Sequence, residues 1–109
     1  IQVNPTCVRV PVFYGHSEAV HIETKTPISV EVAKQLLSAA PGLKVSNDGE
    51  FATPVKDAAG TDPVFVSRIR QDISHPNGLD LWVVSDNVRK GAALNSVQIA
   101  EELMKLWAK

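Results

Sequence analysis

The chain has one cysteine and one methionine in 109 residues. A single thiol excludes an internal disulfide framework and any cysteine-rich zinc site, and it fits a reducing cytoplasm. Excess charge is also lacking, because 11 Lys and Arg face 12 Asp and Glu and leave a formal charge of -1. Nucleic-acid binders and binders of anionic membranes carry a basic footprint, so neither class is expected. No uncharged apolar run approaches the roughly 18 residues of a membrane span, and the first residues do not read as a secretory signal. A Gly-rich dinucleotide turn and a Walker motif are both missing. What is there is ordinary for one globular domain: 44% apolar residues, six glycines and seven prolines.

The chain opens on Ile1 and runs almost directly into a strand-like pattern, which predicts a piece of a longer or processed protein. Val8, Val10 and Val12 alternate with Arg9, Pro11 and Phe13, the period of a strand. Pro11 places that strand at an edge or a bulge. Val20 and Ile22 mark a second strand, expected to pair with the first in a hairpin. Ser29 is the N-cap of a helix whose apolar face is Val32, Ala33, Leu36, Leu37 and Ala40, ended by Pro41-Gly42. Leu43–Val45 reads as a short strand and 51–62 as loop. Val64 and Val66, with Arg68 and Arg70, fall on one side of a further strand, opposite Phe65, Ser67 and Ile69. The turn His75-Pro76-Asn77-Gly78 joins it to a dense apolar, central strand at Leu79–Val84. A last helix over 90–108, capped by Asp86 or Asn87, would bury Ala93, Val97, Ala100, Leu103, Met104 and Trp107. This order predicts an α+β fold, a mostly antiparallel mixed sheet with helices on one face.

Chemistry-bearing residues are few. Arg9 offers a planar fork for a carboxylate or phosphate. His16 ends a strand-like run where a cleft can receive it, and imidazole suits acid/base work near neutral pH. An ion-paired rim arginine and a solvated turn histidine are the plainer readings. His16, His21 and His75 do not have metal-ligand spacing, so no metal site is expected. Cys7 reads as a small buried hydrophobe rather than an activated thiol. Arg68 and Arg70 would bind an anion or a nearby carboxylate. The stretch 85–98 starts a helix with small residues. Its N-terminus, Lys90, Gly91 and the amide of Asn95 would suit a polar ligand, or simply tight packing on a sheet.

Three segments together resemble aspartate-semialdehyde dehydrogenase: Thr6-Cys7-Val8-Arg9-Val10-Pro11-Val12 with Gly15-His16-Ser17-Glu18; Val66-Ser67-Arg68-Ile69-Arg70 with Asp72; and Asp86-Asn87 through Lys90-Gly91-Ala92-Ala93 to Asn95-Ser96-Val97-Gln98-Ile99-Ala100-Glu101. They occur in family order over nearly the whole chain. The resemblance implies a phosphorylating oxidoreductase that interconverts aspartyl 4-phosphate and aspartate 4-semialdehyde with NADP and phosphate, on the way to lysine, threonine and methionine. It implies that Arg9 grips the substrate α-carboxylate and that His16 is the acid/base beside a cysteine nucleophile. Asn95 would contact the nicotinamide amide, with Lys90 and Gly91 on the cofactor side. The implied fold is the catalytic domain of glyceraldehyde-3-phosphate dehydrogenase type, which also makes a homodimer interface.

Nothing here matches the family's Ser-Asn-Cys nucleophile segment or its NADP-binding Rossmann domain, and Cys7 lies in the arginine segment. Residues 1–109 are therefore expected to be the carboxy-terminal part of the catalytic/dimerisation domain, inactive alone. Two alternatives remain at this point: a non-catalytic paralogue acting as a dimerisation or interaction domain, and a stand-alone ligand-binding module.

Overall fold

In a computed structural model, residues 1–108 are described. Four strands, two α-helices and two π-helical turns follow one another: β1 (His16–Glu23), α1 (Val30–Ala39), β2 (Leu43–Val45), a turn at Pro54–Ala58, β3 (Val64–Gln71), β4 (Gly78–Ser85), a turn at Arg89–Ala93 and α2 (Leu94–Trp107). The strands form one sheet in the order β1-β4-β3-β2. β4 is central and pairs antiparallel with both β1 and β3, while β2 runs parallel to β3. The expected α+β fold with a mostly antiparallel mixed sheet is borne out.

The two sheet faces are covered differently. On one, Ala33 of α1 meets Val66, Ile69 and Leu79, with Leu37, Leu43 and Leu81 around them. α1 forms where its apolar face lands on that surface, and the Ser29 hydroxyl caps it by accepting from the Val32 N–H at 3.3 Å. On the other, Ala52 and Ala58 pack with Val84, Phe65 and Trp82. The Trp82 indole N–H donates to the Ala52 carbonyl at 3.0 Å, which pins the 52–58 segment down.

Four expectations need correction. Residues 1–15 form no strand, and Val8, Val10 and Val12 are exposed. The Val12 N–H donates to the Val10 carbonyl at 2.9 Å, closing a tight turn around Pro11, whose fixed φ suits it. The first long strand therefore pairs with β4, from His16↔Ser85 to Glu23↔Gly78, and not with a preceding hairpin arm. In β3 the register slips between Ser67 and Arg70, and Arg68 has φ 54. That bulge puts Val66 and Ile69 into the same core cluster, so strict alternation fails past Ser67. The last helix is broken by Ala92 (φ -140, ψ -110), and α2 buries none of its residues. Val97, Leu103, Met104 and Trp107, expected inside, are exposed.

Candidate functional site

The entrance to β1 is built by close contact. Gly15 has φ +87, and a Cβ there would lie 2.5 Å from the Cβ of Pro54. Only glycine combines that backbone with that approach. Pro54 is fixed in turn, because the Asp57 carboxylate accepts from the Thr53 N–H at 2.7 Å and the Lys56 N–H donates to the Thr53 hydroxyl. The Thr53 N–H is the main reason the Asp57 carboxyl is held below its ordinary pKa. His16 follows immediately, as the first residue of β1 and opposite Ser85 in the ladder. Its Nε2 lies 2.6 Å from Glu18 Oε1.

The ladder thereby brings His16 to the end of β4 from which the 85–95 segment departs. Asp86, 5% exposed, organises that departure. Its carboxylate accepts from the N–H groups of Gly60 at 2.8 Å, Val88 at 2.9 Å and Arg89 at 3.3 Å. These bonds, that of Gly60 first, hold its carboxyl below the ordinary range. Arg89 pairs with Asp62, and Lys90 Nζ donates to Gln98 Oε1 at 2.6 Å. Gly91 faces open space, with nothing within 4 Å of a built Cβ. Half-buried Asn95 is the second residue of α2, just past the Ala92 break. An amide, an ammonium bonded to Gln98 and an open glycine stand beside the helix break, polar groups able to meet one edge of a ligand. They do not make a cradle for a whole dinucleotide.

Arg9 lies apart from this framework. It sits in the exposed segment before β1 and has no hydrogen-bond or ion-pair partner among the described residues. Cys7 lies in the same segment and is exposed, contrary to its reading as a buried hydrophobe. Arg68 and Arg70 line a cavity of about 440 Å³ together with Lys34, Asp48, Glu50 and Phe51. Arg70 reaches Asp80 on the neighbouring strand at 3.4 Å, so its plainer reading as the partner of a nearby carboxylate holds, with Asp80 and not Asp72 in that place.

His21 stands at the other end of β1. Its Nδ1 is 3.1 Å from Asp80 Oδ1, and its Nε2 is 3.6 Å from Glu23 and 3.9 Å from Asp72. The Asp80 hydrogen bond leads in raising its pKa above 6.5, against some desolvation. Asp72 moves the opposite way, held down mainly by the Ser74 N–H. Among the described residues, no group of three or more His, Cys, Asp or Glu is arranged to hold a metal ion. No described helix is long and apolar enough to cross a membrane.

Two contacts escape a reading of the sequence alone, the Asp86 tether to Gly60 and the His16–Glu18 pair. The second had a signal, since residues i and i+2 of a strand share a face.

Residues 1–90 match the sequence model described as "Semialdehyde dehydrogenase, dimerisation domain". The chain belongs to this family. Its resemblance to aspartate-semialdehyde dehydrogenase is borne out by relatives of that name. The enzyme of Shewanella violacea is 61% identical over 106 residues, covering 96% of this chain and 31% of that protein. The one from Legionella pneumophila is 59% identical over 108 residues, again 96% of this chain and 31% of the relative. Among solved structures, aspartate semialdehyde dehydrogenase II of Vibrio cholerae, complexed with ASA, superposes with a TM-score of 0.88 at 58% identity. That match covers 94% of this chain and 30% of the other. The chain thus spans just under a third of the length of these relatives.

Proposed function

We propose that this chain contributes substrate-binding and acid/base groups to an NADP-dependent, phosphorylating aspartate-semialdehyde dehydrogenase, as the carboxy-terminal part of its catalytic and dimerisation domain. The complete enzyme would carry out the NADPH-dependent reductive dephosphorylation of aspartyl 4-phosphate to aspartate 4-semialdehyde, releasing phosphate. Its setting would be cytoplasmic biosynthesis of lysine, threonine and methionine, and its assembly a homodimer or higher homo-oligomer. The observation that carries this reading is 61% identity to a protein of that name over 106 residues, together with the match of 1–90 to the dimerisation domain.

The residue roles come from the family resemblance, and the chemistry of each side chain supports them. The Arg9 guanidinium would take the substrate α-carboxylate as a bidentate pair, and it has no competing partner within the described chain. His16 would exchange a proton with the reacting groups, held at the sheet edge by Gly15 and the β4 ladder. The thiol nucleophile and most of the cofactor site would lie elsewhere in the complete enzyme, because Cys7 falls in the arginine segment and not in a Ser-Asn-Cys segment. Asn95 would hold the nicotinamide amide, with Lys90 and Gly91 alongside. When bound, NADPH supplies the hydride.

In the complete enzyme, Arg9→Ala is expected to lower kcat/KM by about 2–5 kcal/mol, the scale for removing one partner of a desolvated ion pair. Steady-state kinetics checks this. A variant with near-normal kcat/KM would remove Arg9 from the site.

A further inference from the structure

The pair at the start of β1 carries one step more. His16 and Glu18 are two residues apart on a regular strand, so their side chains leave the same face. The distance of 2.6 Å between His16 Nε2 and Glu18 Oε1 is that of a strong hydrogen bond. A carboxylate has no proton to give. With Glu18 ionised the bond takes an imidazole proton on Nε2, and in the neutral ring Nδ1 is then the unprotonated nitrogen. Both backbones are held while this happens. His16 pairs with Ser85 and Glu18 with Val83, and Gly15 is seated on Pro54 just before. The rotation left to the imidazole is about its own side-chain bonds, and the carboxylate restricts that.

We propose that Glu18 is a positioning residue for His16: its carboxylate selects the Nε2–H tautomer and fixes the ring, so that Nδ1 is the nitrogen presented to the reacting proton. This rests on the reading of His16 as the acid/base group. The logic is that of a base oriented by a third group, in which the orienting group never touches the substrate. Glu18 differs in this from Arg9, whose proposed partner is the substrate itself. A positioning residue changes the fraction of His16 in the productive form without changing substrate affinity. Its loss should therefore appear in kcat and not in KM.

The test uses the complete enzyme carrying this domain, with Glu18→Ala, Glu18→Gln, His16→Asn and the double variant Glu18→Ala/His16→Asn. We expect Glu18→Ala to lower kcat about tenfold or more, within the range acid/base catalysis supplies, with KM nearly unchanged. Glu18→Gln should recover much of the loss, because its amide oxygen still accepts from Nε2–H and its shape is preserved. Nitrogen-15 NMR of the labelled imidazole should report Nε2–H in the parent and a mixture of tautomers in Glu18→Ala. In the His16→Asn background, Glu18→Ala should cost nothing further, the non-additivity expected of two residues acting as one unit.

Parental kcat and an unchanged tautomer in Glu18→Ala, with His16→Asn inactive, would overturn the role of Glu18 while leaving His16 in place. An equal loss from Glu18→Ala in both backgrounds would also overturn it, by making the effect structural. Full activity in His16→Asn would instead remove the acid/base reading itself. Should Glu18→Ala not fold, the isosteric Glu18→Gln carries the same tautomer measurement, and a retained Nε2–H signal is then the expected result.

Discussion

Val84 in β4 is fully buried, while Trp107 near the end of α2 is 79% exposed. Both belong to apolar patterns that look equally suited to a core. The difference is what stands opposite. β4 lies between two strands and under the 52–58 segment, whereas α2 buries none of its stripe. The amino-terminal segment resembles α2, with Val8, Val10 and Val12 exposed. An apolar stripe specifies which face of an element gains from cover. It does not specify that the cover lies in the same stretch of chain.

The sharpest way to break this contrast is to truncate one residue on each side of it. Leu79→Ala, in the α1-covered core, should destabilise the fold by about 2–5 kcal/mol. Trp107→Ala should change it by no more than about 0.5 kcal/mol, as expected for an exposed position. Urea denaturation of the two variants decides the matter, and equal losses would erase the distinction between the regions.

A smaller effect separates two glycines. A Cβ at Gly78 would stand 2.6 Å from Asp72 Cβ and 2.7 Å from its Oδ2, while one at Gly91 meets nothing within 4 Å. Gly78→Ala is expected to cost about 1–3 kcal/mol by overpacking. Gly91→Ala should be neutral or stabilising by up to about 1 kcal/mol, since alanine is the better helix former. Thermal unfolding of both variants checks the pair.

The smallest effect concerns pH. His21 binds its proton more tightly in the fold than when unfolded, chiefly through Asp80. Its contribution is therefore complete below the ordinary value of 6.5 and fades as pH rises through the higher folded value. Asp72, held down mainly by Ser74, contributes above its ordinary value of 3.8 and loses that as pH falls through its lower folded value. Denaturation midpoints measured across neutral pH should decline slightly on the alkaline side, and His21→Asn should flatten the decline. A slope unchanged in His21→Asn would place its origin elsewhere.

Where local chemistry decides an element, the residues announced it. Ser29 marked the start of α1, Pro41-Gly42 its end, and Pro76-Asn77-Gly78 the tight link between β3 and β4. Long-range geometry was less legible. The bulge at Arg68 puts a non-glycine residue at positive φ, and no residue in Val-Ser-Arg-Ile-Arg signals it. Val8–Val12 kept the period of a strand but had no neighbour to complete a ladder, and Pro11 favoured a turn. For the candidate site, Arg9 and His16 were visible as residue types and through their motif. Glu18 was visible only as part of that motif, because a strand's i, i+2 neighbours interact only once the strand is formed. The Asp86–Gly60 bond joins residues that no local pattern connects.

The strand order carries a consequence for how the chain assembles. β3 and β4 are joined by a short turn and can find each other quickly. β1 must instead close a long loop, as the bond from Thr24, the residue after its end, to Asn77 spans 53 residues. Closure entropy grows with that separation, so on this ground the β3–β4 hairpin is expected to form first and β1 to dock on it afterwards. His16 rides on this late-arriving strand. Its alignment is then a measure of completed folding, and a population with β3 and β4 paired but β1 unattached would hold much of the sheet and none of the histidine's setting.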